Sequence, residues 1–307
     1  MALTASATAT RAIHRQWWQQ RQKLAPYLFI APFFIIFIGF FLVPAFYAFF
    51  ASLHDWHLLG EMKFVGLKNY RLVLRDKTLW LAVTNTIYYF AAALLIQYPL
   101  ALALAVVLNQ KALRGRRILT PLMFIPILTS PVVVVIVFQV FLDRTYGLFN
   151  FPLRALGLEP INWLGSRQFS KAAVALLITW RWTGYNMILF LASLQSIPQE
   201  LYEAAWVDGA NKVRSFWHIT LPMLRPAIAY VLIMGFISAW QMFDESWLLT
   251  NGGPVDSSLS VGNYLYRVGI REVRMGYASA VGVILFIMVF LASGWQNRIL
   301  GLYTQED

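Results

Sequence analysis

The chain has 307 residues, of which 59% are hydrophobic and only 13% charged, against roughly 25% charged in an ordinary soluble domain. One soluble core cannot hide that much apolar surface, so the composition calls for lipid as solvent. The net charge of +11 would suggest nucleic acid in a soluble protein, but here the bases sit mainly at the ends of apolar blocks, where they mark water boundaries and anionic headgroups; no nucleic-acid partner is expected.

Cysteine is absent, and the four histidines (His14, His54, His57, His218) are scattered, so neither disulfides nor a metal site is expected. Arg11, Arg15, Arg21 and Lys23 lead into an apolar block from Leu24 to Leu53. That block far exceeds a signal-peptide core of roughly 7–15 residues. It reads as an uncleaved first membrane span behind an N-terminal tail, residues 1–24.

A span needs about 20 apolar residues, and six blocks qualify: 26–52, 79–108, 118–142, 172–195, 226–249 and 276–296. All six are predicted helical, because lipid offers no partner to open backbone groups. After the first, "FVGLKNYRLVLRD" (64–76) reads as a turn and a short amphipathic helix at the interface. Pro99 in the second span, and Pro121, Pro126 and Pro131 in or beside the third, predict kinks or irregular starts.

Between those two spans, "NQKALRGRR" (109–117) packs four bases into nine residues and is expected to be cytoplasmic. With six spans, both termini and the loop 196–225 are then cytoplasmic too. The other bases decide little. Lys and Arg divide 12 to a side with Arg181 inside a span, although the outer ones lie in longer loops, where charge weighs less. The outer stretches "GLEPINWLGS" (157–166) and "TNGGPVDSS" (250–258) are turn-rich.

The fourth span carries "WRWTGYN" (180–186). Trp182, Tyr185 and Asn186 share one helical face at i, i+3 and i+4. Intramembrane polar groups are costly and suggest function. Aromatic faces suit the C–H side of a sugar ring, and Arg181 or Asn186 can hydrogen-bond hydroxyls. Equally, the aromatics suit packing or an interfacial belt, and Arg181 can snorkel or pair with an acid such as Asp244. The fifth span repeats the spacing with Ser238, Gln241 and Met242, and has Asp244 and Glu245 near its outer end. Gly235 and Ala239, four apart, also suit close helix packing.

The loop between these spans is punctuated. Ser196 is placed to cap a helix, Gln199 to reach back to it, and Pro198 to fill the first turn. Glu200 and Glu203 lie near that helix's positive end. Gly209 is free to take positive φ and end it. A second short helix is expected over about 211–219, and Pro222 and Pro226 mark the start of the next span. Ala204 and Ala205 leave room for close approach by another protein, and Trp206, Phe216 and Trp217 are expected to pack the elbow against the span ends. An ordinary connecting loop remains the alternative, but a defined loop of about 30 residues is more often functional.

The stretch "YEAAWVDGANKVRSFWHITLP" (202–222) resembles the EAA motif of permease subunits of bacterial ABC importers. The matching positions are Glu203, Ala204, Ala205, Gly209, Ile219, Leu221 and Pro222, with no departure in identity or spacing. "FVGLKNY" (64–70), "LQSIPQELYEAAWVDGA" (194–210), "LTNGGP" (249–254) and "YASA" (277–280) extend the likeness to the carbohydrate-importer branch, of maltose and glycerol-phosphate type. The maltose-type subunit that carries Asn-Gly-Gly-Pro has extra N-terminal spans and a large outer domain; this chain is expected to carry the six-span core alone.

The resemblance implies an all-α polytopic membrane protein of the bacterial inner membrane, with six transmembrane helices (25–299), a coupling loop (196–222) and a C-terminal tail (300–307). It implies that Glu203, Ala204, Ala205, Asp208, Gly209, Ile219, Leu221 and Pro222 engage a cytoplasmic ATPase. It places substrate between two permease subunits, near Trp182, Tyr185, Gly235, Ser238 and Ala239, with Arg181, Asn186 and Met242 alongside. Asn251, Gly252, Gly253 and Pro254 form either a plain turn or a contact for an external binding protein. The implied partners are a second homologous permease, two ATPase subunits that hold ATP and Mg, and a sugar-binding protein.

No G-x-x-x-x-G-K-[ST] loop occurs, so no ATPase site or other cofactor is expected in this chain. An intramembrane enzyme would need clustered His, Asp or Glu, and Asp244-Glu245 near a boundary is the single acidic pair. An ion-coupled carrier usually shows inverted repeats, and that reading leaves the elbow unexplained. Within the ABC class, polyamine, phosphate or amino acid is the alternative cargo; "LTNGGP" and "FVGLKNY" favour sugar.

Overall fold

The computed structural model describes residues 25–300, apart from 59 and 111. The expected N-terminal tail, with Arg11, Arg15, Arg21 and Lys23, and the C-terminal tail beyond Leu300 lie outside the described residues.

In chain order the main helices are α1 (Ala25–Ser52), α2 (Lys68–Arg75), α3 (Lys77–Asn109), α4 (Arg116–Leu128), α5 (Pro131–Phe141), α6 (Ser170–Gln195), α7 (Gln199–Val207), α8 (Lys212–Met223), α9 (Arg225–Gln241), α10 (Asp244–Thr250), α11 (Val261–Tyr266) and α12 (Met275–Leu300), with a short helical turn at Phe151–Ala155 between α5 and α6. Two short antiparallel strands, His54–Asp55 and Lys63–Phe64, pair between α1 and α2. Among the described residues α1, α3, α6 and α12 are each long and apolar enough to cross a membrane, and α4–α5 and α8–α9, bent by 97° and 61°, bring the number of spans to six if each pair is one.

Proline explains why some spans stay whole and others break. A proline ring collides with the carbonyl four residues back and offers no N–H. Wide π-turns lie just ahead of Pro44, Pro99 and Pro222, at Ile38–Leu42, Ala93–Gln97 and Phe216–Thr220. In each, the N–H of the residue before the proline bonds the carbonyl five back (Val43 to Ile38, Tyr98 to Ala93, Leu221 to Phe216), so the helix continues. Pro99 therefore leaves α3 unbroken over 33 residues. At Pro131 the outcome is the opposite. Thr129 and Ser130 are extended, as the residue before proline prefers, and the third span turns sharply there.

The fifth block differs from the expected continuous 226–249. Helix α9 stops at Gln241, Met242 is extended, and α10 starts afresh at Asp244. The Met242 carbonyl freed by the break accepts from Ser260 Oγ at 2.7 Å. A built Cβ on Gly262 would lie 2.6 Å from that same carbonyl oxygen, so glycine lets α11 press against the break.

The amphipathic helix expected after "FVGL" is present as α2. Gly66 turns at φ +57°, Asn69 is buried and donates to the carbonyls of Ser52 and His54 at 2.9 and 2.8 Å, and Val73 is fully buried. The outward leucines Leu67 and Leu74 stay exposed. Three buried clusters hold the bundle. One joins α3 to α11 and α12, one joins the far half of α3 to α6 and the start of α9, and one joins α5, α6 and α10.

Candidate functional site

A cavity of about 540 Å³ opens between α3, α6, α9 and α10. All eight expected pathway residues line it: Arg181, Trp182, Tyr185, Asn186, Gly235, Ser238, Ala239 and Met242. The helical spacing brings Trp182 and Tyr185 edge to face, 5.9 Å between ring centroids. Asn186 is nearly buried, with its amide nitrogen 3.3 Å from the Trp182 carbonyl. Ser238 is open to the cavity, and Gly235 sits against the ring of Tyr98, where a built Cβ would lie 2.8 Å from Cζ. Gly235 is thus a point of close helix packing and part of the cavity wall at once.

Arg181 pairs with Glu245, not with Asp244. Arg181 Nη1 lies 2.8 Å from Glu245 Oε1 and both side chains are buried, while Trp182 Nε1 donates to the same oxygen at 3.1 Å. The break at Met242–Phe243 accounts for the change of partner. Had α9 run on, residue 245 would have followed the helix face of 241 and 238; the fresh start of α10 turns Glu245 inward and leaves Asp244 exposed.

Gln97, Tyr98 and Tyr230 also line the cavity and are not among the residues the sequence singles out. Gln97 carried a readable signal, since it is an amide inside a long apolar helix. It is 3% exposed, and its Oε1 has no hydrogen-bond partner among the described residues.

The elbow lies at one end of the bundle. Gly209 takes φ +79°, the Ala210 N–H bonds the Ala205 carbonyl and the Gly209 N–H bonds that of Trp206, at 2.8 and 3.0 Å. This closes α7 in the manner of a Schellman motif. Asn211 then caps α8 through Arg214 N at 2.8 Å.

The start of α7 departs from expectation. Ser196 Oγ turns back to the Ser193 carbonyl, Pro198 occupies the cap position without a side-chain bond, and Gln199 Nε2 donates to Glu203 Oε1 at 2.9 Å. Pro198 already fixes an extended entry to the helix, so a hydroxyl cap is not needed there. The second helix also runs on past 219, through the π-turn ahead of Pro222, to Met223.

The aromatic packing is corrected as well. Trp206 and Trp217 are 55% and 59% exposed, and Phe216 meets Trp217 edge to face. The elbow is instead tied down by a 2.9 Å hydrogen bond between the hydroxyls of Tyr202 and Thr220, and by Tyr202 and Ile219 packing on the cluster that holds Leu194, Ile197 and Leu224. Glu203, Ala204, Asp208 and Gly209 are exposed together; Ala205, Leu221 and Pro222 are half-buried.

At the opposite side of the break, Asn251 is exposed in a left-handed conformation at the end of α10. Gly252 is buried, and Gly253 and Pro254 are partly covered. Ser258 organises this turn. Its hydroxyl donates to the Gly253 carbonyl at 2.7 Å, and its carbonyl accepts from Ser246 and from Tyr89 of α3. Below it, Asp76 caps α3 and accepts from the hydroxyls of Tyr264 and Tyr277 at 2.6 and 2.8 Å. Burial pushes its carboxyl up, but these phenols and the N–H groups of Leu79 and Thr78 prevail and hold it below the usual carboxylate value.

Residues 97–301 match the family described as "Binding-protein-dependent transport system inner membrane component". The chain is 40% identical over 287 residues to the arabinooligosaccharides transport system permease protein AraP of Bacillus subtilis (strain 168), covering 93% of this chain and 91% of that protein. It is 34% identical over 274 residues to the trehalose/maltose transport system permease protein MalF of Thermococcus litoralis, covering 88% and 91%. Its fold matches a chain of a bacterial ABC transporter involved in the import of the acidic polysaccharide alginate, with a TM-score of 0.82 and 24% identity over 94% of this chain and 100% of that one. The match across 97–301 takes in the cavity walls from Gln97 onward and the glycine elbow, and on that ground the chain belongs to the binding-protein-dependent transport system inner membrane components, as a multi-pass membrane permease.

Proposed function

We propose that this chain forms one half of the sugar pathway in an ATP-driven importer. The observation that carries the reading is the cavity: Trp182 and Tyr185 offer aromatic faces to the C–H side of a sugar ring, and Ser238, Gln241 and Asn186 stand around them as hydrogen-bonding groups. Relatives named for arabinooligosaccharides, trehalose/maltose and lactose support carbohydrate as the cargo. A second homologous permease closes the other side of the cavity, and an extracytoplasmic binding protein delivers the sugar near the outer mouth, where Asn251 is the exposed member of the Asn-Gly-Gly-Pro turn.

Energy comes from two cytoplasmic ATPase subunits, which hold ATP and Mg and dock on Glu203, Ala204, Asp208 and Gly209. In this reading the elbow and both termini face the cytoplasm. The Tyr202–Thr220 bond and the seating of Ile219 tie α7 to the end of α6 and the approach to α9. A push on α7 therefore moves both cavity walls. ATP binding shifts the balance between inward-open and outward-open forms by its different affinity for the two.

The test is transport in proteoliposomes that contain the whole complex and its binding protein. ATP-dependent sugar uptake, lost with Glu203→Arg together with the co-purifying ATPase, is the expected result. Labelling of a cysteine placed at 207 from outside intact cells overturns the orientation. Uptake of an amino acid or polyamine, with no carbohydrate accepted, overturns the cargo.

A further inference from the structure

Three charged side chains line the cavity: Arg181, Asp244 and Glu245. From their arrangement we infer that this wall selects uncharged carbohydrate and rejects anionic sugars, and that Glu245 sets the selection by occupying Arg181. The inference rests on the sugar reading above and narrows it.

Arg181 is the sole cation among the described residues that line the wall, and its charge is met by Glu245, although its buried Nε has no hydrogen-bond partner among the described residues. Its Nη1 is held at 2.8 Å by Glu245 Oε1, with the side chain 10% exposed. Trp182 Nε1 donates to the same oxygen at 3.1 Å, which fixes the carboxylate from a second side. Asp244, by contrast, is exposed and has no ion-pair partner among the described residues. The one unpaired charge left open to a ligand among the described lining residues is thus the Asp244 carboxylate, beside neutral groups such as the Ser238 hydroxyl, the Gln241 amide and the Tyr230 hydroxyl.

A carboxylate, phosphate or sulfonate on the sugar finds no counter-charge here and one like charge, in a site walled by apolar side chains where repulsion is poorly screened. Sugar hydroxyls meet the reverse situation. They donate to Asp244, a charge-assisted bond of the stronger kind, while ring C–H faces lie on Trp182 and Tyr185.

Binding to the purified permease–ATPase complex, without the binding protein so that its own filter is bypassed, tests this by calorimetry. The probes are a panel of neutral oligosaccharides and their C6-oxidised uronate counterparts. The wild-type complex is expected to bind a neutral probe at least ten times tighter than its uronate. Glu245→Gln, which frees the guanidinium, and Asp244→Asn, which removes the like charge, are each expected to narrow that gap several-fold. Should Glu245→Gln fail to assemble, Asp244→Asn, which breaks no pair, decides the matter alone. A wild-type complex that binds the uronate as tightly, or an unchanged gap in an assembled Asp244→Asn complex, overturns the neutral-sugar inference while sugar transport stands. A complex that binds no carbohydrate probe but does bind an amino acid or polyamine overturns the sugar reading itself.

Discussion

Arg181 on α6 and Glu245 on α10 meet at 2.8 Å although 64 residues separate them. The pair fastens the long fourth span to the short helix that follows the break in the fifth. Two consequences follow for stability, because a buried ion pair and a buried lone charge are very different objects.

Replacing one partner, as in Arg181→Leu or Glu245→Leu, leaves an uncompensated buried charge and is expected to destabilise the protein by about 3–5 kcal/mol. Replacing both with leucine removes the penalty and is expected to cost far less than the sum. Thermal unfolding of the four members of this cycle in detergent measures the coupling. Additive single effects would show that the two charges do not depend on one another.

Gly235→Ala is expected to disturb both packing and transport. The new Cβ meets the Tyr98 ring, and overpacking of this kind typically costs about 1–3 kcal/mol. Because Gly235 and Tyr98 both line the cavity, relief by tilting Tyr98 narrows the pathway. A second change, Tyr98→Leu, removes the obstruction and is expected to restore the melting temperature. Melting curves and uptake rates of the single and double variants check both parts.

At the elbow, Gly209 has φ +79° and nothing within 4 Å of a built Cβ. Gly209→Ala therefore meets conformational strain without a clash, roughly 1–2 kcal/mol, and Gly209→Asn less, since asparagine tolerates the left-handed region. Gly209→Asn, Gly209→Ala and Gly209→Val are each expected to retain fold by circular dichroism but to lose ATPase retention progressively, Asn least and Val most for its β-branch. Equal retention by Asn and Val would mean that the bend is set elsewhere.

Asp76 is expected to contribute to acid sensitivity. Its carboxyl is held below its ordinary value in the folded protein. A group depressed on folding adds stability above its unfolded value, and that stability fades as pH falls through the folded value. The melting temperature is thus expected to drop below about pH 4, the ordinary range of an aspartate. Asp76→Asn lowers it at neutral pH and flattens the acid limb. A limb of unchanged slope in Asp76→Asn assigns the acid loss to other groups.

Much of this protein is determined locally and was legible in the chain. Apolar block length fixes the number of possible spans. Gly209 in "WVDGAN" fixes the bend, because only one conformation closes α7 there. The i, i+3, i+4 spacing of Trp182, Tyr185 and Asn186 puts them on one face whatever surrounds the helix. Spacing accounts for those three; Gly235, Ser238, Ala239 and Met242 join them in one cavity only because α9 packs beside α6.

Tertiary structure decided what local rules leave open. Proline disrupts a helix by a rule that reads the same at Pro99 and Pro131, yet one span absorbs it in a π-turn and the other folds by 97°. The proline itself does not say which. The same holds at Met242, whose carbonyl is claimed by Ser260 from eighteen residues away. That break turns Glu245 rather than Asp244 toward Arg181. At the elbow, Tyr202 and Ile219 fill the seam while Trp206 and Trp217 stay exposed. Spacing along a helix reports which side chains travel together; which charge they meet is settled when distant segments compete for the same buried volume.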